Sequence, residues 1–578
     1  MPLRPSMPAP WLSLALLVGL VPGGVPRGGG HPGPGPVAQP DSGATLRGAR
    51  RAQASFESYR RQHVLERDVY PAGACDLHFG RFCFWYGDRK YDSVPEPGVI
   101  REARGRLLGE LAAAAAQLPG DDWIAGQRVR YLLEDGRPAD AVALAHDCRG
   151  TPWWCTVLAG LALHGATQFA SADSAFATAL GAMPEEERCR WRDVSALLPS
   201  ELRGRYERMT CEERTDFEGR WWWLVAPLAS GPGNDRRTEH FARLTLARIE
   251  SESRTAFNMV WGDDLREMLL RFGPDVFWSR RPSSALSTAE VQITGYDREP
   301  AFHFVPSAHA FADPGRAKLE DWAPADAHPG ELYAPPYAER FLPLEAQIAA
   351  FRRGDSCLVA GVYDVSADPS VGHQPARTAL VLARTEAARV VSARETHLDG
   401  RQVLTATAAC APEVASLEIV GTNARWVARL RQGIEPPARD AVSDLLLLDP
   451  TDSVTRDLKA LLPHALPSAR VPVGRVGLYW EVPGIDSAGD PVSTSLAVTA
   501  EPRSWLGRRV ESLGLARRHR GVELSWEEVL RSEGGIAARV LDLDLSALAT
   551  GRYWIELSVS VAGAVPVRAT REVELVER

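Results

Sequence analysis

At 578 residues with 45% hydrophobic content, the chain is too long for one hydrophobic core and too apolar for wholesale disorder; at a typical ~100–200 residues per domain it divides into about three or four domains. Its formal net charge is -8, and Lys90, Lys318 and Lys459 are the only lysines among 66 Lys plus Arg. Arginine, Ala, Gly and Pro rise together as a high-GC genome dictates, no basic stripe is visible, and the acidic balance argues against a nucleic-acid partner.

The first segment, Met1–Val21, has a short basic start at Arg4 and then an apolar run from Trp11. That run is shorter than the ~20 residues of a membrane span and suits the core of a secretion signal. Residues 1–23 are therefore read as a signal peptide, with an uncleaved anchor as the alternative because no good A-x-A precedes the Gly/Pro tract. Residues 24–54 lack hydrophobic periodicity and are expected to be a disordered linker, with ordered structure starting near Phe56. No later segment is long and apolar enough to span a bilayer.

Eight cysteines fall into close sequential pairs, Cys75/Cys83, Cys148/Cys155, Cys189/Cys211 and Cys357/Cys410. An even count fits an oxidising compartment, secreted or periplasmic, and proximity predicts sequential pairing. The alternative at Cys75-x-x-His78-x4-Cys83 is a metal site, but a fourth ligand is missing. No metal or cofactor is expected.

Residues 55–200 are read as a disulfide-stapled helical region. Val99–Leu118 is Ala/Leu-rich and ends at Pro119-Gly120. Two helix pairs follow, Trp123–Glu134 with Ala139–Cys148, and Trp154–His164 with Phe169–Met183. The second resembles a tetratricopeptide repeat: Gly160, Ala172, Phe176, Ala179 and Pro184 fall at that repeat's spacing, and Ala141 occupies the Ala172 slot 31 residues earlier. Such an arm offers a concavity for a protein partner or, alternatively, packs on the next domain.

Thr210-Cys-Glu-Glu213 has the form of a capping box opening a helix that runs into Trp221-Trp222-Trp223. Three adjacent tryptophans cannot share one helical face, so packing between domains is expected. Next come the polar series Asn234, Glu239, His240, Arg243, the run Trp261-Gly-Asp-Asp264, a strand-like Met268–Phe272, and the turn Gly273-Pro274. Residues from about 205 to 310, within a central module read as 201–340, thereby resemble the GWxTD domain family of exported bacterial proteins, with Val260 where that motif has Gly and Asp263 where it has Thr. The resemblance implies helical repeats joined to C-terminal β domains and brings no established activity. From the residues alone, His240 oriented by Glu239 or Asp264 would be a candidate general base. Glu239 and His240 point about 100° apart on a helix, however, and a polar network around Trp261 is the competing reading.

After a short predicted helix at Leu344–Phe351, short alternating runs at Cys357–Val365, Thr378–Ala383, Gln402–Ala409 and Ala415–Val420 read as a β-sandwich over 341–433. Similar runs, among them Leu541–Leu545 and Gly551–Leu557, read as a second sandwich over 434–578. Arg353-Gly354-Asp355 reads as a hairpin turn rather than an adhesion signal. The expected fold class is thus multidomain α+β: a helical repeat-like region, a central mixed GWxTD-like module and C-terminal β-sandwiches. No His-Glu-x-x-His, Gly-x-Ser-x-Gly or Walker loop occurs. The leading functional expectation is a non-catalytic envelope or secreted protein that binds a protein partner through its helical region. The alternative is a hydrolase centred on His240, Glu239 and Asp264.

Overall fold

A computed structural model describes residues 41–66, 77–84, 95–229, 231, 233–280, 293–296, 304–322, 331–333, 337–338, 340–369, 371, 375–421, 426–450, 456–500, 521–532 and 534–577. The predicted signal peptide lies outside these residues, as does Cys75 and with it the Cys75/Cys83 pairing. Among the described residues no helix is long and apolar enough to cross a membrane.

The first helix, α1 (Ser42–His63), overturns part of the expected linker. Its apolar residues are sparse, but Ala49, Gln53, Phe56 and Arg60 recur at helical spacing and are buried. Ala49 and Phe56 share a core with Ile100, Leu107 and Leu111 of α2 (Gly98–Gln117). Between them lies a small hairpin, β1 (Leu77–Phe79) and β2 (Phe82–Phe84). Two helix pairs follow, α3 (Asp122–Glu134) with α4 (Pro138–His146), and α5 (Pro152–Gly165) with α6 (Phe169–Ala182). Gly160 lets α5 and α6 approach: a Cβ there would lie 2.7 Å from the Phe176 ring. The Cys148–Cys155 disulfide ties the end of α4 to α5.

The chain continues through α7 (Glu185–Arg192), α8 (Ser200–Tyr206), α9 (Arg214–Val225), α10 (Asp235–Ser251) and α11 (Asp263–Phe272). A second disulfide, Cys189–Cys211, joins α7 to the turn before α9. In that turn the Thr210 N–H donates to Glu213 (2.7 Å) and the Glu213 N–H to Thr210 Oγ1 (3.4 Å), closing a capping box. Helix α10 lies on the helical pairs: Phe241, Ala242, Leu244 and Ile249 join the core built by Val157, Leu158 and Phe176. Residues 268–272, expected as a strand, belong to α11. Its acidic first turn (Asp263, Asp264) and Arg271 near its end suit the helix dipole, and it stops at Gly273, whose φ of 89° only glycine adopts freely. A short ribbon, β3 (Phe277–Arg280) with β4 (Ile293–Tyr296), follows.

All three tryptophans of α9 are buried, in a core completed by Val381, Ala383 and Val414 of the first sandwich. That sandwich comprises β5 (Arg340–Leu342), β6 (Ala346–Arg353), β7 (Ser356–Tyr363), β8 (Pro375–Ala383), β9 (Arg389–His397), β10 (Gln402–Ala409), β11 (Glu413–Gly421) and β12 (Trp426–Ile434). Its sheets run β10-β7-β6 and β5-β12-β11-β8-β9. Two buried charges fix the central module to it. Arg431 donates to the carbonyls of Leu224 and Ala226 at the end of α9, and Glu418 accepts from the N–H groups of Leu228 (2.7 Å) and Ala229 (2.9 Å). Cys357–Cys410 links β7 to the turn after β10.

The second sandwich comprises β13 (Leu446–Leu448), β14 (Arg470–Pro472), β15 (Arg475–Pro483), β16 (Asp490–Ala500), β17 (Glu523–Leu530), β18 (Ile536–Asp544), β19 (Gly551–Val561) and β20 (Val567–Val576), in sheets β13-β15-β18 and β14-β20-β19-β16-β17. The two three-stranded sheets meet face to face, Ala349, Phe351 and Val362 against Leu446, Leu448 and Tyr479. This explains why residues 346–351 form a strand where a helix was expected. Ile348 and Ala350 fill the first sandwich's own core while Ala349 and Phe351 fill the interface. With both faces buried, the alternation that marks a strand disappears. The turn at Gly354 (φ 67°) closes the β6–β7 hairpin; flanking it, Arg353 binds Glu481 and Asp355 pairs with Arg439.

The chain is therefore a multidomain α+β protein, helical in its N-terminal and central parts and built of antiparallel-rich sheets beyond them.

Candidate functional site

Where α3, α5, α10 and α11 converge, they leave a cleft of about 700 Å³, within the roughly 300–1,000 Å³ of ligand sites. Phe257, Trp261, Met268, Leu269 and Trp278 supply an apolar wall, and Glu239, Arg243 and His164 project from α10 and the end of α5. Gly273 and Pro274 also line it. The sequence-predicted Glu239, Arg243, Trp261, Gly273 and Pro274 thus share one cavity, brought there because α10 and α11 pack side by side.

Glu239 sits between a guanidinium and an imidazole. Its Oε1 accepts from Arg243 Nε at 2.7 Å, one helical turn on, and its Oε2 meets His164 Nε2 at 2.6 Å. Burial would raise its pKa, but Arg243 and His164 outweigh burial and hold the carboxyl far below the usual range. Thr238 Oγ1 spends its own proton on the Asp235 carbonyl (3.0 Å) and so accepts from His164 Nδ1 (2.9 Å). Both ring nitrogens of His164 are thereby engaged within the protein. Arg243 also donates to the carbonyls of Leu270 (3.0 Å), Arg271 (3.0 Å) and Leu332 (2.9 Å), closing the end of α11. A Cβ on Gly273 would lie 3.0 Å from that guanidinium.

The expected meeting of His240 with Glu239 and Asp264 does not occur. His240 points away from the cleft, fully buried against Trp222 (centroids 5.3 Å apart). Burial, reinforced by Arg236, Arg243 and Arg266, drives its pKa well below the ordinary value, so it stays neutral. The cause is helical geometry: neighbours on a helix project about 100° apart, and here Glu239 takes the cleft side while His240 takes the side packed on Trp222. Asp264 turns to the β1–β2 hairpin, taking Arg81 Nε on Oδ2 (2.7 Å) and Arg81 Nη2 on Oδ1 (2.8 Å), a bidentate clasp. Asn234 caps α10, its Oδ1 accepting from the Arg237 N–H at 2.9 Å, and its amide donates to the Trp222 carbonyl. Asp263 is exposed in the first turn of α11.

Sequence reasoning missed the cleft's second charged end. There Arg60, Arg104 and Arg130 meet Glu57, Glu134 and Glu250 from four helices: Arg60 pairs with Glu134, Arg130 Nε donates to Glu134 (2.8 Å), and Arg130 lies 3.3 Å from Glu250. Against the opposing effect of burial, the guanidiniums of Arg60, Arg130 and Arg104 hold Glu134 down to about 2. Glu250 moves the other way, pushed up by burial and by Glu134 and Glu57 despite Arg130. These residues carry no shared motif; their one signal is charged residues placed at apolar helix positions, as at Arg60 and Arg130. Among the described residues no group of three His, Cys, Asp or Glu is placed to hold a metal ion, and the Cys75–His78–Cys83 alternative lies partly outside them.

No family profile matches the chain, and no curated protein does. Among solved structures it is similar to red sea bream transglutaminase (10% identity, TM-score 0.14), of whose chain it spans 32% while 42% of this chain is covered. It is also similar to a DUF3823 family protein from Parabacteroides merdae (9% identity, TM-score 0.15), covering 40% of this chain and 99% of that one. A third likeness is to a tetra-tandem repeat of a large adhesion protein (11% identity, TM-score 0.13), covering 41% and 50%. Likeness at this level assigns neither fold nor activity. Three disulfides fit an exported protein.

Proposed function

We propose that this chain is an exported, non-catalytic binding protein of the GWxTD kind, carried out of the cytoplasm by the signal at residues 1–23. Its helical pairs, degenerate tetratricopeptide-type repeats, join the central module in a cleft that takes a segment of a partner protein, and the two sandwiches space that cleft from other surroundings. The packing of Phe176 over Gly160 and the gathering of Glu239, Arg243, Trp261 and Gly273-Pro274 at one cavity support these resemblances.

One observation carries the binding reading. The cleft is large and aromatic-walled, yet the acid and base candidates that the sequence offered, and His164 beside them, are engaged within the protein: His240 is entombed, Asp264 is clasped by Arg81, and His164, Glu239 and Arg243 bind one another. A working general base needs a free lone pair facing substrate. Helix α10 packs on the helical pairs, so on this reading the cleft, not the repeat face, is the binding surface.

A photo-crosslinking residue in place of Met268, inside the cleft, should yield a defined adduct in envelope extracts. The same residue at Val565, 87% exposed on the second sandwich, should not. Filling the cleft with Trp at a second site, Leu246, should abolish the Met268 adduct. Hydrolysis of ester or peptide substrates by the purified chain, lost in His164→Ala, would instead establish the enzyme reading.

A further inference from the structure

The cleft joins an apolar wall to a carboxylate-rich end. Around Arg130 the cationic groups are Arg60, Arg104 and Arg130. Facing them are Glu57, Glu134 and Glu250, and Arg104 is further engaged by Glu96 and Asp135. The carboxylates outnumber the guanidiniums, and the three arginines are each bound by at least two of them. Glu250 is weakly compensated: Arg130, at 3.3 Å, is its one ion-pair partner among the described residues and is shared with Glu57 and Glu134. Glu250 and Glu134 both line the cleft, as do Phe257, Trp261 and Trp278.

Resting on the binding reading above, we infer that the partner segment is basic and amphipathic, an arginine or lysine side chain entering beside Glu250 and Glu134 while its apolar neighbours lie on the Phe257, Trp261 and Trp278 wall. An anionic segment would meet carboxylates already in excess, and every guanidinium there is taken. A neutral apolar segment would leave Glu250 as it is, enclosed and facing Glu134 and Glu57. A cation relieves that repulsion, and the aromatic wall of the same cleft suits the apolar stem of an arginine or lysine and its neighbours. The upward shift of Glu250, caused by burial with Glu134 and Glu57 opposing its charge, points the same way.

The test uses the whole chain and the probe acetyl-Leu-Arg-Leu-amide, followed by calorimetry and by the change in tryptophan emission from the cleft wall. Replacing the probe's arginine with neutral, nearly isosteric citrulline should weaken binding roughly tenfold or more, the value of one charge-assisted contact. The glutamate version should not bind saturably. In the protein, Glu250→Gln should weaken the arginine probe by a similar factor and leave the citrulline probe unchanged. A thermal midpoint within a few degrees of wild type shows that the variant is folded. Equal affinity for the arginine, citrulline and glutamate probes, all abolished by Met268→Trp, would overturn the cationic assignment while leaving the binding cleft intact. Absence of saturable binding by every probe would overturn both.

Discussion

Replacing Arg243 by methionine should remove more stability than any other single change at the cleft. The guanidinium makes four short contacts, to Glu239 (2.7 Å) and to the carbonyls of Leu270 (3.0 Å), Arg271 (3.0 Å) and Leu332 (2.9 Å). Methionine keeps the stem's packing and loses all four. Glu239 is left with His164 alone, and removing one partner of a buried ion pair costs roughly 3–5 kcal/mol. The freed carbonyls add less than their separate values because the losses share one cause. A total near 4 kcal/mol corresponds to a fall of roughly 8–16 °C in the midpoint of a unit of 150–250 residues. Because separate domains need not unfold together, hydrogen exchange of the α10 and α11 amides is the sharper assay. Adding Glu239→Gln should return about 1–3 kcal/mol, since the double variant no longer strands a carboxylate. A loss under about 1 kcal/mol in Arg243→Met, or strict additivity in the double variant, would refute the account.

Gly160→Ala should cost roughly 1–3 kcal/mol in thermal unfolding, because the new Cβ sits 2.7 Å from a Phe176 ring that Phe241, 5.3 Å away, keeps from retreating. Adding Phe176→Leu should restore part of it. Asp264 is held below the usual carboxylate range, first by the Arg81 side chain and against burial, so its stabilising effect is full above its unfolded pKa near ~4 and fades as pH falls below that. Wild type should therefore exceed Asp264→Asn in β1–β2 amide protection at pH 7, with the gap closing toward pH 3; a gap that widens in acid would contradict the clasp. Replacing Cys357 and Cys410 by alanine opens a loop of sequence separation 53 and should cost roughly 2–5 kcal/mol in denaturant titration.

The outline of the fold was legible because most elements bury one face. The pairs α3/α4 and α5/α6 follow from apolar periodicity and turn residues, and the Gly160–Phe176 contact from the likeness to a tetratricopeptide repeat. The failures share a cause. In α1 the buried positions include Gln53 and Arg60, and in 346–351 both faces are buried, so neither segment shows the pattern its structure ordinarily writes. At α11 a strand-like Met-Leu-Leu run concealed a helix whose real markers were Asp263, Asp264 and the Gly273-Pro274 stop.

The site was half legible for a related reason. Residues close in sequence, such as Glu239 and Arg243 at helical spacing, could be paired in advance. His164 lies 75 positions from Glu239, and Arg81 lies 183 from Asp264, so no local pattern joined them. What the sequence presented as a catalytic constellation is three separate arrangements: a core histidine, a salt-bridged cleft floor and a clasp on the β1–β2 hairpin. Chemistry would require one of these groups to be released from its partner. The Glu239 carboxylate, with a guanidinium on one oxygen and an imidazole on the other, is the member least able to be released, and it stands at the centre of the cleft.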